Sequence, residues 1–213
     1  MKKALSTTVL FATLFSAACA GSALNPSSPD AVEPLSAFAG RAVAVFPLQQ
    51  VSEEPSVSSS HSDLATAFRQ TVDYEIRFAF GEAPPSRWIF APAIVASARR
   101  NAGMTADPTK LVVEGLTEKL PEPGGNISET LRTQVRQLVA LSEARYVLLP
   151  ASVRFYEQRQ NGTRRATMRV VLIDARLAQV RWAEDITTEP APALNRAAAA
   201  ALASRLAVMA GLH

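Results

Sequence analysis

Two histidines, one cysteine and a few close-set carboxylates are the residues from which this 213-residue chain could build a reactive site. A metal site needs three or four converging ligands. His61 lies in the serine-rich stretch SVSSSHS and His213 is the last residue, so neither belongs to a cluster. Cys19 is remote from both, which leaves no Cys–His nucleophile pair. Ser58 to Ser60 put hydroxyls beside His61, but neighbours in one loop do not make a triad, and no G-x-S-x-G elbow occurs. Asp73 and Glu75, two apart on a helix, point in different directions. Glu184 and Asp185, adjacent on a strand, face opposite sides. Gly124-Gly125 follows Pro123 with no P-loop pattern around it and reads as a turn. Trp88 and Trp182 read as core aromatics. These residues point away from an enzyme and call for no cofactor and no metal.

The remaining chemistry is cationic. Asn161-Gly162 predicts a two-residue hairpin loop, because both central positions of a type I′ turn need positive φ. That register pairs Val153 with Val170 and Phe155 with Met168 on an apolar face. On the other face it pairs Tyr156 with Thr167 and sets Arg154 opposite Arg169. Like charges directly across a hairpin destabilise it unless an acid intervenes. Asp185, on the following strand, is the candidate. Arg154, Tyr156, Arg169 and Arg181 then mark a docking surface for an acidic partner, weighed against a solvated face with scattered ion pairs.

Cys19 ends an apolar run in the stretch LFSAACAGS, Leu14 to Ser22. Lys2 and Lys3 precede the run and small residues follow it, the order of a secretory signal peptide. Two cleavages fit. Ala18-Cys19-Ala20 satisfies the small-x-small rule and would remove the cysteine. Ser16-Ala17-Ala18-Cys19 resembles a bacterial lipobox, with Ser16 where Leu is usual, and would make Cys19 an acylated first residue. A lone cysteine has no intramolecular disulfide partner. The segment after it, AGSALNPSSPDAVEPLS, has the composition of a tether. The reading adopted is a signal peptide over 1–18, lipidation at Cys19, a tether over 19–38 and one domain over 39–213. Several acyl chains hold a protein stably at a membrane where one does not. Resemblance to bacterial lipoproteins implies that Ala20 after the cysteine sends the protein to the outer membrane, facing the periplasm; the alternative is a soluble periplasmic protein.

The chain carries a net charge of +3, of which Lys2 and Lys3 supply two, so the body is nearly neutral. No basic stripe calls for nucleic acid. A hydrophobic content of 48% supplies an ordinary core. No second apolar run is long enough to cross a membrane.

The elements follow from pattern. RAVAVFPL, residues 41–48, reads as a buried strand, and residues 49–62 as a polar loop. Leu64, Phe68, Val72 and Ile76 fall on one face of a helix from Ser62 or Asp63 to about Phe80, stopped by Gly81. RWIFA, residues 87–91, is a strand closed by Pro92, and a helix runs over 93–101. Asp107-Pro108 predicts a capped helix through Leu120, so 101–126 reads as a helical insertion. Ser128 starts the next helix. Three strands follow, at 145–160, 163–175 and 180–188, and then an alanine-rich helix from about Leu194 to Ala210. That order implies an α/β fold: a single layer of mixed sheet, about five strands with a C-terminal antiparallel meander, packed by helices.

RAVAVFPL, SEARYVLLPASV and a meander carrying Asp174 and Trp182 give the chain, from about Arg41 to Leu212, a further likeness. It resembles the envelope lipoprotein group that includes the curli-secretion lipoprotein, the amino-terminal domain of TolB, and the outer-membrane lipoprotein that activates a penicillin-binding protein. Pro150 stands where that group commonly has Gly. The group's meander turn, D-x-x-[ST]-G-x-x-x-W, keeps its spacing here with Ala178 in place of Gly. An Ala held at positive φ costs about 1 kcal/mol, which favours a remodelled turn. Pore-forming members carry long amphipathic hairpins that have no counterpart here. The resemblance implies a TolB-N-like fold and an accessory role in envelope assembly or its regulation, by binding another envelope protein. The alternative is a binding domain for a small ligand or a cell-wall glycan. A deep pocket lined by Trp88 or Trp182 would favour the ligand; an open sheet face or an unpaired edge strand would favour the protein.

Overall fold

The computed structural model describes residues 33–53, 62–81, 87–158, 163–191 and 193–212. Cys19, the signal segment, the serines around His61, His213 and the Asn161-Gly162 turn lie outside them. A short 3-10 turn, Leu35–Phe38, opens the domain, and its Leu35 and Phe38 are buried although composition assigned them to the tether. Among the described residues the sheet has six strands: β1 (Ala42–Val45), β2 (Gln50–Glu53), β3 (Arg87–Ile89), β4 (Tyr146–Gln158), β5 (Thr163–Asp174) and β6 (Gln179–Thr187). The helices are α1 (Ser62–Phe80), α2 (Ala91–Arg100), a single turn α3 (Glu114–Thr117), α4 (Glu129–Val139) and α5 (Arg196–Met209). The sheet is mixed and open, in the order β3-β1-β4-β5-β6, with β2 also on β4. β1 and β2 dock in succession along the same long strand, both parallel to it, at Val43↔Tyr146 and Gln50↔Ser152. β4, β5 and β6 form the antiparallel meander.

Both faces of the sheet are covered along part of its length. Val43, Leu148, Met168, Leu172 and Trp182 pack against Phe68, Val72 and Ile76 of α1 and Leu202 and Leu206 of α5. Ala44, Phe46, Val147, Leu149, Val171 and Ile173 pack against Ile94 of α2 and Leu131, Val135 and Leu138 of α4. β1 is apolar throughout because a central parallel strand is buried on both sides. The helices start and stop where their end groups are satisfied. Gly81 adopts φ 64° after α1. Pro92 lies in the first turn of α2, inside the helix rather than at the end of the preceding strand. Ser128 Oγ accepts from Leu131 N at 3.3 Å, and Asn195 Oδ1 accepts from Ala198 N at 3.0 Å.

Three expectations are corrected. The helix predicted from Asp107 to Leu120 is not there. Asp107 Oδ1 accepts instead from Thr109 N and Thr109 Oγ1 at 2.9 and 2.7 Å, a local turn that competes with helix. Beyond it, Leu111 N donates to Gln49 Oε1 at 2.8 Å and Val112 N to Gln134 Oε1 at 2.9 Å. Side chains from elsewhere take the amides a helix would use, and only α3 forms. Second, part of the polar loop is strand β2. Its main chain pairs with β4, which requires no apolar pattern, and Val51 alone packs partly on the core.

Third, the hairpin register is shifted. Val153 pairs with Met168, Phe155 with Ala166, Tyr156 with Arg165, and Arg154 with Thr167. Gln158↔Thr163 is the last described pair before the connection. From Ser152 to Gln158 the slip is by two, so the side chains of that stretch stay on their expected face; a bulge between Pro150 and Ser152 shifts the register once more. Arg154 and Arg169 are therefore diagonal neighbours instead of direct opposites.

The turn between β5 and β6 holds an alanine in the left-handed conformation. Ala178 adopts φ 59°. Its N donates to Asp174 O at 2.8 Å, and Asp174 Oδ1 accepts from Arg176 N and Leu177 N at 3.0 and 3.2 Å. Asp174 Oδ2 takes both Arg145 Nε and Nη2, at 3.0 and 2.7 Å. Burial alone would raise the Asp174 pKa, but Arg145 and the two amides hold it below the ordinary carboxylate value.

Candidate docking surface

The half of the sheet that carries Val147, Val171 and Ile173 is roofed by α2, α4 and the segment around α3. Further along the same face the strands run on, and among the described residues no helix lies above them. A shallow cleft of about 510 Å³ opens there, lined by Ser52 of β2, Arg154, Phe155 and Tyr156 of β4, Thr167 of β5, and Asp185 and Thr187 of β6.

Arg169 stands where the roof ends. It is 4% exposed. Its Nε and Nη2 each donate to one oxygen of Asp185 at 2.7 Å. Its Nη1 donates to Leu116 O and Thr117 O, the free carbonyls of α3, at 3.2 and 3.1 Å. The hydrogen bonds to Asp185 outweigh burial and hold the Arg169 pKa above its ordinary value. A buried guanidinium needs this completeness of partners.

Arg154 is the second cation at Asp185. Its Nη2 lies 3.9 Å from Asp185 Oδ2, a Coulombic contact too long for a hydrogen bond. Asp185 thus neutralises one arginine and faces two, and the surplus positive charge rests on Arg154, whose side chain is 45% exposed. Hydroxyls surround it. Thr167 Oγ1 and Thr187 Oγ1 share a 2.9 Å hydrogen bond, and the exposed Tyr156 lines the cleft with its OH 3.4 Å from Thr167 Oγ1. The cleft can hold an anionic or hydroxyl-bearing group beside one incompletely paired cation.

Arg154, Tyr156 and Arg169 share this face, and Asp185 contacts both arginines, at 3.9 Å from Arg154 and 2.7 Å from Arg169. Arg181 is not part of the group. The β5–β6 register skips it, between Leu172↔Trp182 and Ile173↔Val180, and it pairs with Glu33 at 3.1 Å. Ser52 and Thr187 are cleft residues the sequence did not single out. Ser52 was hidden by the reading of β2 as loop.

Other chemistry-bearing residues have separate surroundings. Trp182 is in the core, packed beneath α5. Trp88 meets Phe80 edge-on at 4.9 Å and borders a cleft of about 420 Å³ with Arg77, Phe90 and Pro92. Glu75 pairs with Arg196 at 2.6 Å. Asp73 Oδ1 accepts from Leu48 N at 2.8 Å. Burial pushes the Asp73 pKa up to about 7, against the Leu48 amide and Arg69, which pull it down. Among the described residues no three of His, Cys, Asp and Glu gather as metal ligands, and no helix is long and apolar enough to cross a membrane.

No family model matches this chain, and no curated protein matches it. Solved structures give distant likenesses. A single-residue variant of the PelC dodecamer from Paraburkholderia phytofirmans aligns at TM-score 0.39 and 16% identity, over 80% of this chain and 88% of that one. The PelC dodecamer of the same organism, in a second crystal form, aligns at TM-score 0.37 and 15% identity, over 82% and 90%. The LpoB C-terminal domain from Salmonella enterica aligns at TM-score 0.35 and 12% identity, over 71% and 84%. Likenesses of this strength carry no argument about partner or activity, so function rests on the chain's own residues.

Proposed function

We propose that this chain is a non-enzymatic envelope lipoprotein, tethered through Cys19, whose α/β domain binds an acidic surface of another envelope protein. The observation that carries the reading is the surplus charge on Arg154, presented in an open sheet cleft beside Tyr156. Arg169 and Asp185 set the position of that charge, and Arg154 and Tyr156 make the contact. The cleft is broad and shallow, which suits a protein surface better than a small molecule. The tether gives reach, and the domain gives a recognition face. The test is Arg154→Glu, which leaves the buried pair in place. Crosslinking in intact envelopes should recover a partner with the wild-type chain and lose it with the variant. Undiminished recovery would sink the reading.

The hydroxyls of Ser52, Tyr156, Thr167 and Thr187 around one arginine favour a second reading, a domain that takes a cell-wall glycan or another small polar ligand. Co-sedimentation with purified cell-wall sacculi separates the two. Binding to sacculi that Arg154→Glu abolishes, without any protein partner, would replace the first reading by the second.

A further inference from the structure

Another cleft, of about 420 Å³, lies between helices α1 and α2. α1 lines it with Gln70, Asp73 and Arg77, and α2 with Pro92, Val95 and Arg99. Each set is spaced by three and then four residues, which puts it on one face of its helix. The two helices pack on opposite faces of the sheet. The cleft they share therefore opens off the end of the sheet, where the parallel strands β1 and β3 stop. Buried Pro47 in its wall follows β1, and Pro92 follows β3. The crevice beyond the carboxyl ends of parallel strands is where open α/β sheets take ligands. This cleft shares no lining residue with the one at Arg154.

Asp73 is only half engaged. Its Oδ1 accepts from Leu48 N at 2.8 Å. Its Oδ2 has no hydrogen-bond partner among the described residues and is open to solvent, so a ligand in the cleft can reach it. On the α2 wall, the exposed Arg99 makes no hydrogen bond or ion pair among the described residues. Asp107 is held below the ordinary carboxylate value first by the Thr109 amide, with Arg99 contributing least. The charges around Asp73 are Arg69 and Arg77 on its own helix and Arg99 on α2; Pro47 and Thr109, which complete the walls, bring none. A bare cation would be repelled by the arginines, and a bare anion would meet Asp73. A molecule with an ammonium and a carboxylate on an apolar body answers both, and Pro47, Pro92 and Val95 offer that body an apolar wall. We propose that this cleft binds a small apolar zwitterion, a free amino acid or a short peptide, with its ammonium on Asp73 Oδ2 and its carboxylate on Arg99. Burial pushes the Asp73 pKa up to about 7. The ligand's ammonium favours the ionised carboxylate, so binding below that pH releases a proton.

The test is isothermal titration of the processed full chain, in mild detergent if it carries acyl groups, with leucine and with leucyl-leucine. The two probes separate the free amino acid from the peptide, and at least one should bind with a Kd below about 1 mM. The same molecule stripped of its carboxylate, as the amide, or of its ammonium, as the deaminated acid, should bind at least about tenfold more weakly. Arg99→Gln should erase the preference over the amide, and Asp73→Asn the preference over the deaminated acid. Loss of fold would instead abolish binding of all three alike. Wild-type affinity should fall by up to about tenfold per pH unit below about pH 7, and that of Asp73→Asn should not. No binding of either probe at about 10 mM overturns the proposal. So does a wild-type chain that takes the amide and the deaminated acid as tightly as the zwitterion, or an affinity that both substitutions leave unchanged.

Discussion

Arg169 and Asp185 face each other across β5 and β6, joined by two hydrogen bonds of 2.7 Å, with the arginine 4% exposed and the carboxylate a third exposed. Removing one member of a buried pair strands the other charge and typically costs about 3–5 kcal/mol. Solvent at Asp185 reduces that, so Asp185→Ala should cost roughly 2–3 kcal/mol. Arg154→Ala, at an exposed contact of 3.9 Å, should change stability by less than about 0.5 kcal/mol. Urea denaturation of the two variants checks both figures. An equal loss in each would mean that Arg154 is part of the folded scaffold rather than a residue held out for a partner.

Ala178 at φ 59° sets up the second prediction. Glycine there removes the clash of Cβ with the backbone, worth about 1 kcal/mol. It also deletes a buried methyl and adds freedom to the unfolded chain, which offsets part of the gain. Ala178→Gly should therefore stabilise by a few tenths to about 0.5 kcal/mol. Ala178→Val should destabilise by more than 1 kcal/mol, roughly, because β-branching crowds the left-handed conformation further. Thermal denaturation of the pair measures both; a stabilising Val would mean that the strain is not there.

That turn also shows what sequence could and could not reveal. Asp174 was legible as the start of a turn only through the resemblance to the envelope group's meander turn. That the turn would survive with alanine was not, since the compensating bonds come from Arg145, far away in the chain. The same division runs through the fold. Helices α1, α4 and α5 and the meander strands follow from periodicity and end signals confined to a few residues. Residues 107–120 looked helical because nothing local announces that Gln49 and Gln134 will take their amides. β2 was unreadable because its strand character comes from β4. Within the cleft, the common face of Arg154, Tyr156 and Arg169 was legible through the period of two. Arg181 was misplaced because a bulge leaves no mark in local sequence.

Gln49 is the third case, a buried polar side chain with every group engaged. Its Nε2 donates to Pro47 O and Pro108 O at 2.6 and 2.9 Å, and its Oε1 accepts from Leu111 N at 2.8 Å. It is 5% exposed and ties the β1–β2 connection to the segment that replaced the predicted helix. Gln49→Leu conserves volume but orphans three backbone groups. The expected cost is about 2–4 kcal/mol, with hydrogen exchange at residues 106–113 accelerated more than in the sheet. Gln49→Glu keeps the acceptor and loses both donors, and should be at least as damaging at neutral pH. Uniform acceleration across the chain in Gln49→Leu would mean that the segment has no stability of its own to lose.

Asp73 makes stability depend on pH. Its folded pKa of about 7 lies above the ordinary 3.8, so the folded state holds a proton that the unfolded chain has released in that interval. The stabilisation from the protonated form is full below about pH 4 and is lost as pH rises towards 7, by at most ~1.4 kcal/mol per pH unit. Above 7 this contribution is flat. Asp73→Asn keeps an oxygen for Leu48 N and cannot ionise. It should match the wild-type chain near about pH 4 and be more stable by roughly 2 kcal/mol near about pH 8. Chemical denaturation at the two pH values gives the difference. Identical pH slopes in the two proteins would show that Asp73 titrates as an ordinary carboxylate, with its contact to Leu48 open to water.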